Sequence, residues 1–229
     1  DALNIESSCL LLKETDYKSI LSFEKNISTY PNVSLFYVKD EYPIEDEKNV
    51  KKYLNWTDNC VMLSTDKIYD VYYEIVKGNN KLGGASLPKQ FNQGGEIQGN
   101  FLSRKFSLIY DPERKDPGWS NVGHKKYAML FKEEKTGILY QKTGFTSQSG
   151  YFVLKYDGVK YKMYRVGLET GYAYPIYEGS KLVACIMADK SIFNDLNLYH
   201  IYALNKSYSY ISSVFGLYLD ACIQLTYGP

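Results

Sequence analysis

Apolar and polar positions follow two rhythms along this chain, and the change from one to the other falls near residue 100. Cys9-Leu10-Leu11-Leu12 is an apolar run of strand length, and beyond Asp16 the apolar Tyr17, Ile20, Leu21 and Ile27 recur at helical spacing. Val33 to Val38 is rich in β-branched and aromatic residues, which predicts a strand. Pro43 with Glu45, Asp46 and Glu47 opens a second helix carrying Val50, Tyr53 and Leu54, the acidic turn matching the positive helix start. Cys60-Val61-Met62-Leu63 predicts a third strand. Thr65 or Asp66 then caps a helix on which Ile68, Val71, Tyr72 and Ile75 fall at i, i+3, i+4 and i+7. Strands alternating with helices predict a small α/β unit over residues 1–78, with parallel pairing.

Residues 79–100 hold Gly83-Gly84, Gly94-Gly95 and Gly99 among Asn and Gln, with little to bury, and are expected to form a Gly-rich linker or loop. From residue 101 onward the period becomes that of strands. Arg104 to Tyr110, Tyr127 to Lys132, Gly137 to Lys142, Tyr151 to Tyr156, Val159 to Val166, Tyr172 to Tyr177, Lys181 to Met187 and Leu198 to Leu204 form a run of hairpins. Asp157-Gly158 is the strongest of their turn signals, because a type I′ turn needs positive φ and glycine supplies it without steric cost.

The chain then turns at Asn205 and Lys206 into a helix, SSVFGLYLDACIQL over residues 212–225, that is apolar around most of its circumference. Ser212, Gly216, Asp220 and Gln224, with Ser213, form one polar stripe roughly a third of the girth wide. The apolar stretch is shorter than the ~20 residues a bilayer span needs and contains Asp220 and Gln224, so no transmembrane segment is expected. A helix of this kind needs protein around most of its surface, and the preceding strands supply sheet enough to surround it.

A meander of strands with a hydrophobic C-terminal helix at its centre resembles the tubby C-terminal fold, shared with LURP-one-related proteins and phospholipid scramblases. Tyr174-Pro175-Ile176-Tyr177-Glu178-Gly179 leading into Leu182-Val183-Ala184, then Asn194, Leu198-Tyr199, Tyr202 and the final helix, is similar to the closing third of small bacterial tubby-like proteins. The fold class this implies is α+β: a mainly antiparallel β-barrel enclosing the C-terminal helix over residues 101–229, preceded by the small α/β unit. A full barrel of this family has twelve strands, more than residues 101–229 supply by pattern. Either the linker and part of the first third contribute strands, or the barrel is abbreviated. The resemblance implies a non-enzymatic binding or regulatory module, its ligand an anionic lipid head group or a protein partner. The alternative is an enzyme with its site at the junction between the α/β unit and the barrel.

Composition narrows this further. The 229 residues carry 27 Lys+Arg against 26 Asp+Glu, a formal charge of +1, so there is no global field to recruit nucleic acid. Tyrosine is abundant at 24 residues, and aromatic packing accounts for it without a special binding role. Cys9, Cys60, Cys185 and Cys222 lie far apart among apolar neighbours and suit buried thiols of a reducing compartment. No secretory h-region opens the chain, and a cytoplasmic location is the expectation.

Candidate chemistry is sparse. His124 and His200 stand in no metal-ligand spacing, and His200 is expected to be a half-buried strand residue. No glycine-rich phosphate loop and no GxSxG elbow occurs, so no cofactor is implied and no catalytic residue is assigned. Glu133-Glu134 is expected in a hairpin turn, where a solvated role is sufficient. The one handle is basic: Arg104, Lys105, Lys125 and Lys126 are the candidate binding residues for an anion, if folding brings them together. Lys160, Lys162 and Arg165 are a weaker group, since alternation puts Arg165 on the opposite strand face.

Overall fold

The computed structural model describes residues 60–64, 71–77, 79–88, 91–110, 125–143, 150–167, 171–189 and 198–227. The elements predicted between Cys9 and Leu54 and the residue His124 lie outside these. Thirteen strands are described: β1 (Cys60–Ser64), β2 (Val71–Lys77), β3 (Asn80–Leu87), β4 (Glu96–Phe101), β5 (Arg104–Tyr110), β6 (Lys125–Lys132) and β7 (Thr136–Thr143) come first. Then follow β8 (Gly150–Tyr156), β9 (Val159–Met163), β10 (Val166–Gly167), β11 (Gly171–Glu178), β12 (Lys181–Asp189) and β13 (Leu198–Ala203), and finally the helix α1 (Lys206–Tyr227). The protein is thus mostly antiparallel β-sheet with a single C-terminal helix among the described residues.

All thirteen strands belong to one sheet, ordered β10-β11-β12-β13-β1-β2-β3-β4-β5-β6-β7-β8-β9. Except for β9 and β10, strands adjacent in sequence pair with each other, and the first described strand joins the last through Cys60↔Ile201 and Leu63↔Leu198. On its far side β9 also pairs with β11, through Ile176↔Met163, Tyr177↔Lys162 and Glu178↔Tyr161. The turn at Asp157-Gly158 has positive φ at both residues, 50° and 76°, as a two-residue type I′ hairpin requires.

Three expectations for the N-terminal half change. Every described pairing is antiparallel, whereas the alternation of periods predicted parallel strands. Val71 to Ile75, expected on a helix, is strand β2: Val71, Tyr73 and Ile75 are buried while Tyr72 and Glu74 are exposed. Its apolar residues satisfy a period of 3.6 or of 2, and the neighbouring strands β1 and β3 decide for 2. The third change is the linker. Residues 79–100 carry β3, a 3₁₀ turn at Phe91–Gln93, and β4, all integral to the sheet. Glycine is present there because of close approach, not flexibility. A Cβ on Gly99 would lie 2.4 Å from the Phe106 ring of the paired strand, so the aromatic covers the glycine and takes the space a side chain would use.

The core is organised by α1. Asn205 Oδ1 accepts a hydrogen bond from the Tyr208 backbone N–H at 3.1 Å and caps the helix, satisfying one of its orphan donors. From Ser209 to Cys222 every residue is buried, including Ser212, Ser213, Gly216 and Asp220 of the polar stripe. Protein surrounds that stretch entirely, which goes beyond the sequence expectation of protein around most of its girth. Within that stretch the polar side chains of the stripe are satisfied internally. Ser212 and Ser213 donate to the carbonyls of Tyr208 and Ser209 at 2.7 and 2.8 Å, and Asp220 accepts from the phenols of Tyr73 on β2 and Tyr199 on β13, the latter at 2.5 Å.

Aromatic rings fill the remaining space. Tyr210 packs against Phe101, Phe106 and Phe131 with ring centroids 5.6, 5.8 and 6.3 Å away, and Tyr218 meets Phe152 edge-on at 6.1 Å. Each fully buried side chain such as Phe215 or Leu217 contributes about 1.5–3 kcal/mol. Several described tyrosines serve packing: Tyr73, Tyr177, Tyr199, Tyr210 and Tyr218 are among the largest fully buried side chains. Cys185 and Cys222 are buried free thiols, and His200 is half-buried on β13. Among the described residues no helix is long and apolar enough to cross a membrane.

Candidate binding groove on the outer sheet face

Strand register places side chains of β2 to β6 in two rows on the face turned away from α1. The first row runs Tyr72, Ser86, Gln98, Ser107, Lys132, each directly opposite the next. The second, two residues along, runs Glu74, Gly84, Asn100, Lys105. Alternation sends the intervening Tyr73 and Phe106 into the core, so the rows are the solvent half of the same strands. Together they line a groove of 870 Å³, within the size range of ligand sites. Gly84 keeps its floor low, since no side chain rises there between Glu74 and Asn100.

The groove is polar and graded. Tyr72, 54% exposed, stands at the β2 edge. Ser86, Gln98, Asn100 and Ser107 fill the middle with hydroxyl and amide groups. Lys105 and Lys132 stand at the β5–β6 edge as diagonal neighbours, because Ser107 lies opposite Lys132 and Lys105 is two residues before it. Glu74 is held by Lys81 at 3.2 Å, a solvent-exposed pair of little energetic weight.

The four basic residues singled out by sequence do not converge. Lys105 lies in the groove. Lys125 and Lys126 open β6, opposite Lys142 and Gln141 of β7, and seven residues of strand put Lys125 about 23 Å from Lys132. Arg104 is engaged elsewhere. Its Nε and Nη2 donate to Glu133 Oε1 and Oε2 at 2.7 and 2.9 Å, and its guanidinium lies 4.1 Å above the Tyr210 ring. Lys162, of the weaker group, is buried with its ammonium 5.6 Å from the Tyr151 ring.

Glu133 is therefore not the solvated turn residue expected. Its side chain is 7% exposed, and besides Arg104 it accepts from Tyr156 at 2.9 Å and Tyr210 at 3.0 Å. Desolvation pushes its carboxyl up, but the hydrogen bonds from Arg104, Tyr156 and Tyr210 outweigh that and hold it below the ordinary carboxylate value. Burial first, then the bond to Glu133, drives the Tyr210 phenol well up, and the same bond raises Arg104 further. This constellation ties β5, the β6–β7 turn and β8 to the first turns of α1. Its chemistry is that of a fastening, and it takes Arg104 out of any anion site.

Sequence reasoning missed Tyr72, Ser86, Gln98, Asn100, Ser107 and Lys132. The signal was there in the alternation Gln98-x-Asn100 and Lys105-x-Ser107, but half of it lay within a segment that composition assigned to a linker. Among the described residues no three His, Cys, Asp or Glu side chains gather as a metal site. No family model matches the chain, and no curated protein or solved structure matches it.

Proposed function

We propose that this chain is a non-enzymatic binding or regulatory module of the tubby-like class, a closed β-barrel around its last helix that engages its ligand on the outer wall. Two features support the barrel. β9 pairs with β8 on one side and β11 on the other, and β1 joins β13, pairings that suit a ring of twelve strands, β1 to β9 with β11 to β13, and leave β10 as a short side extension. The burial of Ser209 to Cys222 of α1 on all faces supports it independently.

The observation that carries the functional reading is the groove across β2 to β6. A barrel whose centre is occupied by its own helix directs recognition to the wall, and the wall's polar depression ends in Lys105 and Lys132. Two cations without an ion-pair partner among the described residues favour a negatively charged ligand, an anionic lipid head group or an acidic patch of a protein partner. The test is flotation with vesicles containing anionic lipid. The parent chain is expected to float with them at low salt and to release at high salt, while the double variant Lys105→Glu/Lys132→Glu stays at the bottom. Failure of the parent to float at low salt refutes the lipid ligand, and flotation that the variant retains refutes the groove.

A further inference from the structure

The grading of the groove says more than its charge. An exposed aromatic, a middle of amides and hydroxyls and a cationic end are three different kinds of recognition set in line across five strands. Four interstrand steps of about 4.8 Å put Tyr72 and Lys132 about 19 Å apart, too far for one small ion to use both. A ligand that engages all three parts is elongated, presents an apolar face to a phenol ring, carries many hydroxyls, and ends in an anion.

We infer that the groove binds an acidic sugar chain, a short run of pyranose rings bearing a carboxylate, either as a free oligosaccharide or as the head group of an acidic glycolipid. The inference rests on the groove being the binding surface. The C–H face of a pyranose stacks on the flat face of Tyr72, whose two χ angles make it a rigid platform. Gln98 and Asn100 each offer a donor pair and an acceptor, and Ser86 and Ser107 offer one donor and two lone pairs, a set matched to vicinal hydroxyls that donate and accept at once. Lys105 and Lys132 close on the carboxylate from two sides.

The structure favours a carboxylate over a phosphate as the charged group. Phosphate sites commonly combine backbone N–H groups in a nest, a helix N-terminus or an Arg fork with lysine as an added point charge. The floor of this groove is paired sheet whose interstrand backbone donors are used in the ladder, and the nearby guanidinium is taken by Glu133. Two ammonium groups at the rim suit a monoanion.

The test is calorimetric titration of the full chain with a tetrasaccharide of uronic acid units, its uncharged counterpart, and vesicles carrying a uronic acid glycolipid or phosphatidylserine. Tyr72→Ala and the double variant Lys105→Gln/Lys132→Gln change exposed side chains, and a melt checks that each stays folded. The parent is expected to bind the acidic tetrasaccharide roughly tenfold more tightly than the neutral one. The lysine variant should abolish that preference, and Tyr72→Ala should weaken both sugars roughly tenfold. Binding of glycolipid vesicles but not of the free sugar assigns the lipid source. Binding of phosphatidylserine vesicles through Lys105 and Lys132, with no response to any sugar, overturns the sugar ligand and leaves the groove standing. Sugar binding that none of the variants changes overturns the groove itself.

Discussion

Asp220 is the one acidic residue of α1, and it is buried where protein surrounds the helix on every side. Its carboxyl accepts from Tyr73 on β2 and Tyr199 on β13, so a single side chain fixes the rotation of the helix against two strands that flank β1. Replacing it by alanine removes this acceptor from two phenols that stay in the core. An unsatisfied buried donor costs about 1–3 kcal/mol, so Asp220→Ala is expected to lose about 2–6 kcal/mol, a large part of a domain's stability. The magnitude has an internal control. If the cost comes from stranded hydroxyls, deleting them returns stability, and Asp220→Ala/Tyr73→Phe/Tyr199→Phe should be more stable than Asp220→Ala alone although it carries more changes. Urea unfolding followed by intrinsic fluorescence measures this as a shift in midpoint at constant slope. An Asp220→Ala midpoint within error of the parent, or a triple variant less stable than the single one, refutes the claim that this carboxyl is held for its two phenol partners.

The helix surface and the Glu133 fastening give two further expectations. A Cβ on Gly216 would meet the mobile tip of Met62 at 2.9 Å, with Ile186 behind it at 3.8 Å. Gly216→Ala should therefore be close to neutral, the helix propensity gained offsetting a small shift of Met62, whereas Gly216→Leu should cost about 1–3 kcal/mol by overpacking. Equal melting temperatures for the parent and the leucine variant would contradict an enclosed helix. Glu133 has a folded pKa below its ordinary value of 4.5, so between the two values the unfolded chain binds more protons and stability rises with pH. Its contribution is complete above the ordinary value and is lost as pH falls through the folded one. Glu133→Gln should flatten the stability profile in that acidic window, and an unchanged slope there would count against the Arg104, Tyr156 and Tyr210 contacts.

What the sequence determined by itself is the local grammar of the second half. Asp157-Gly158 specified its hairpin because few residues other than glycine accept the φ that a type I′ turn demands. The final helix declared its burial through composition alone: an apolar surface that wide has no stable place in water. Cys185, Cys222 and His200 likewise sit as their neighbours implied.

Tertiary structure decided the rest, for reasons that local pattern does not carry. Glycine between Gly83 and Gly99 is compatible with a flexible linker or with a strand over which an aromatic folds, and only the pairing of Gly99 with Phe106 selects the second. Val71 to Ile75 fits two periods until β1 and β3 supply partners for one of them. Glu133 reads as a turn residue because its three hydrogen-bonding partners come from sequence positions 104, 156 and 210. The groove belongs to the same class, since Tyr72, Gln98 and Lys132 become neighbours through a register that five strands agree on. Side-chain chemistry is written in the sequence, but which groups share a surface follows from interstrand pairing, and that is settled by the free energy of the whole sheet packing on its core.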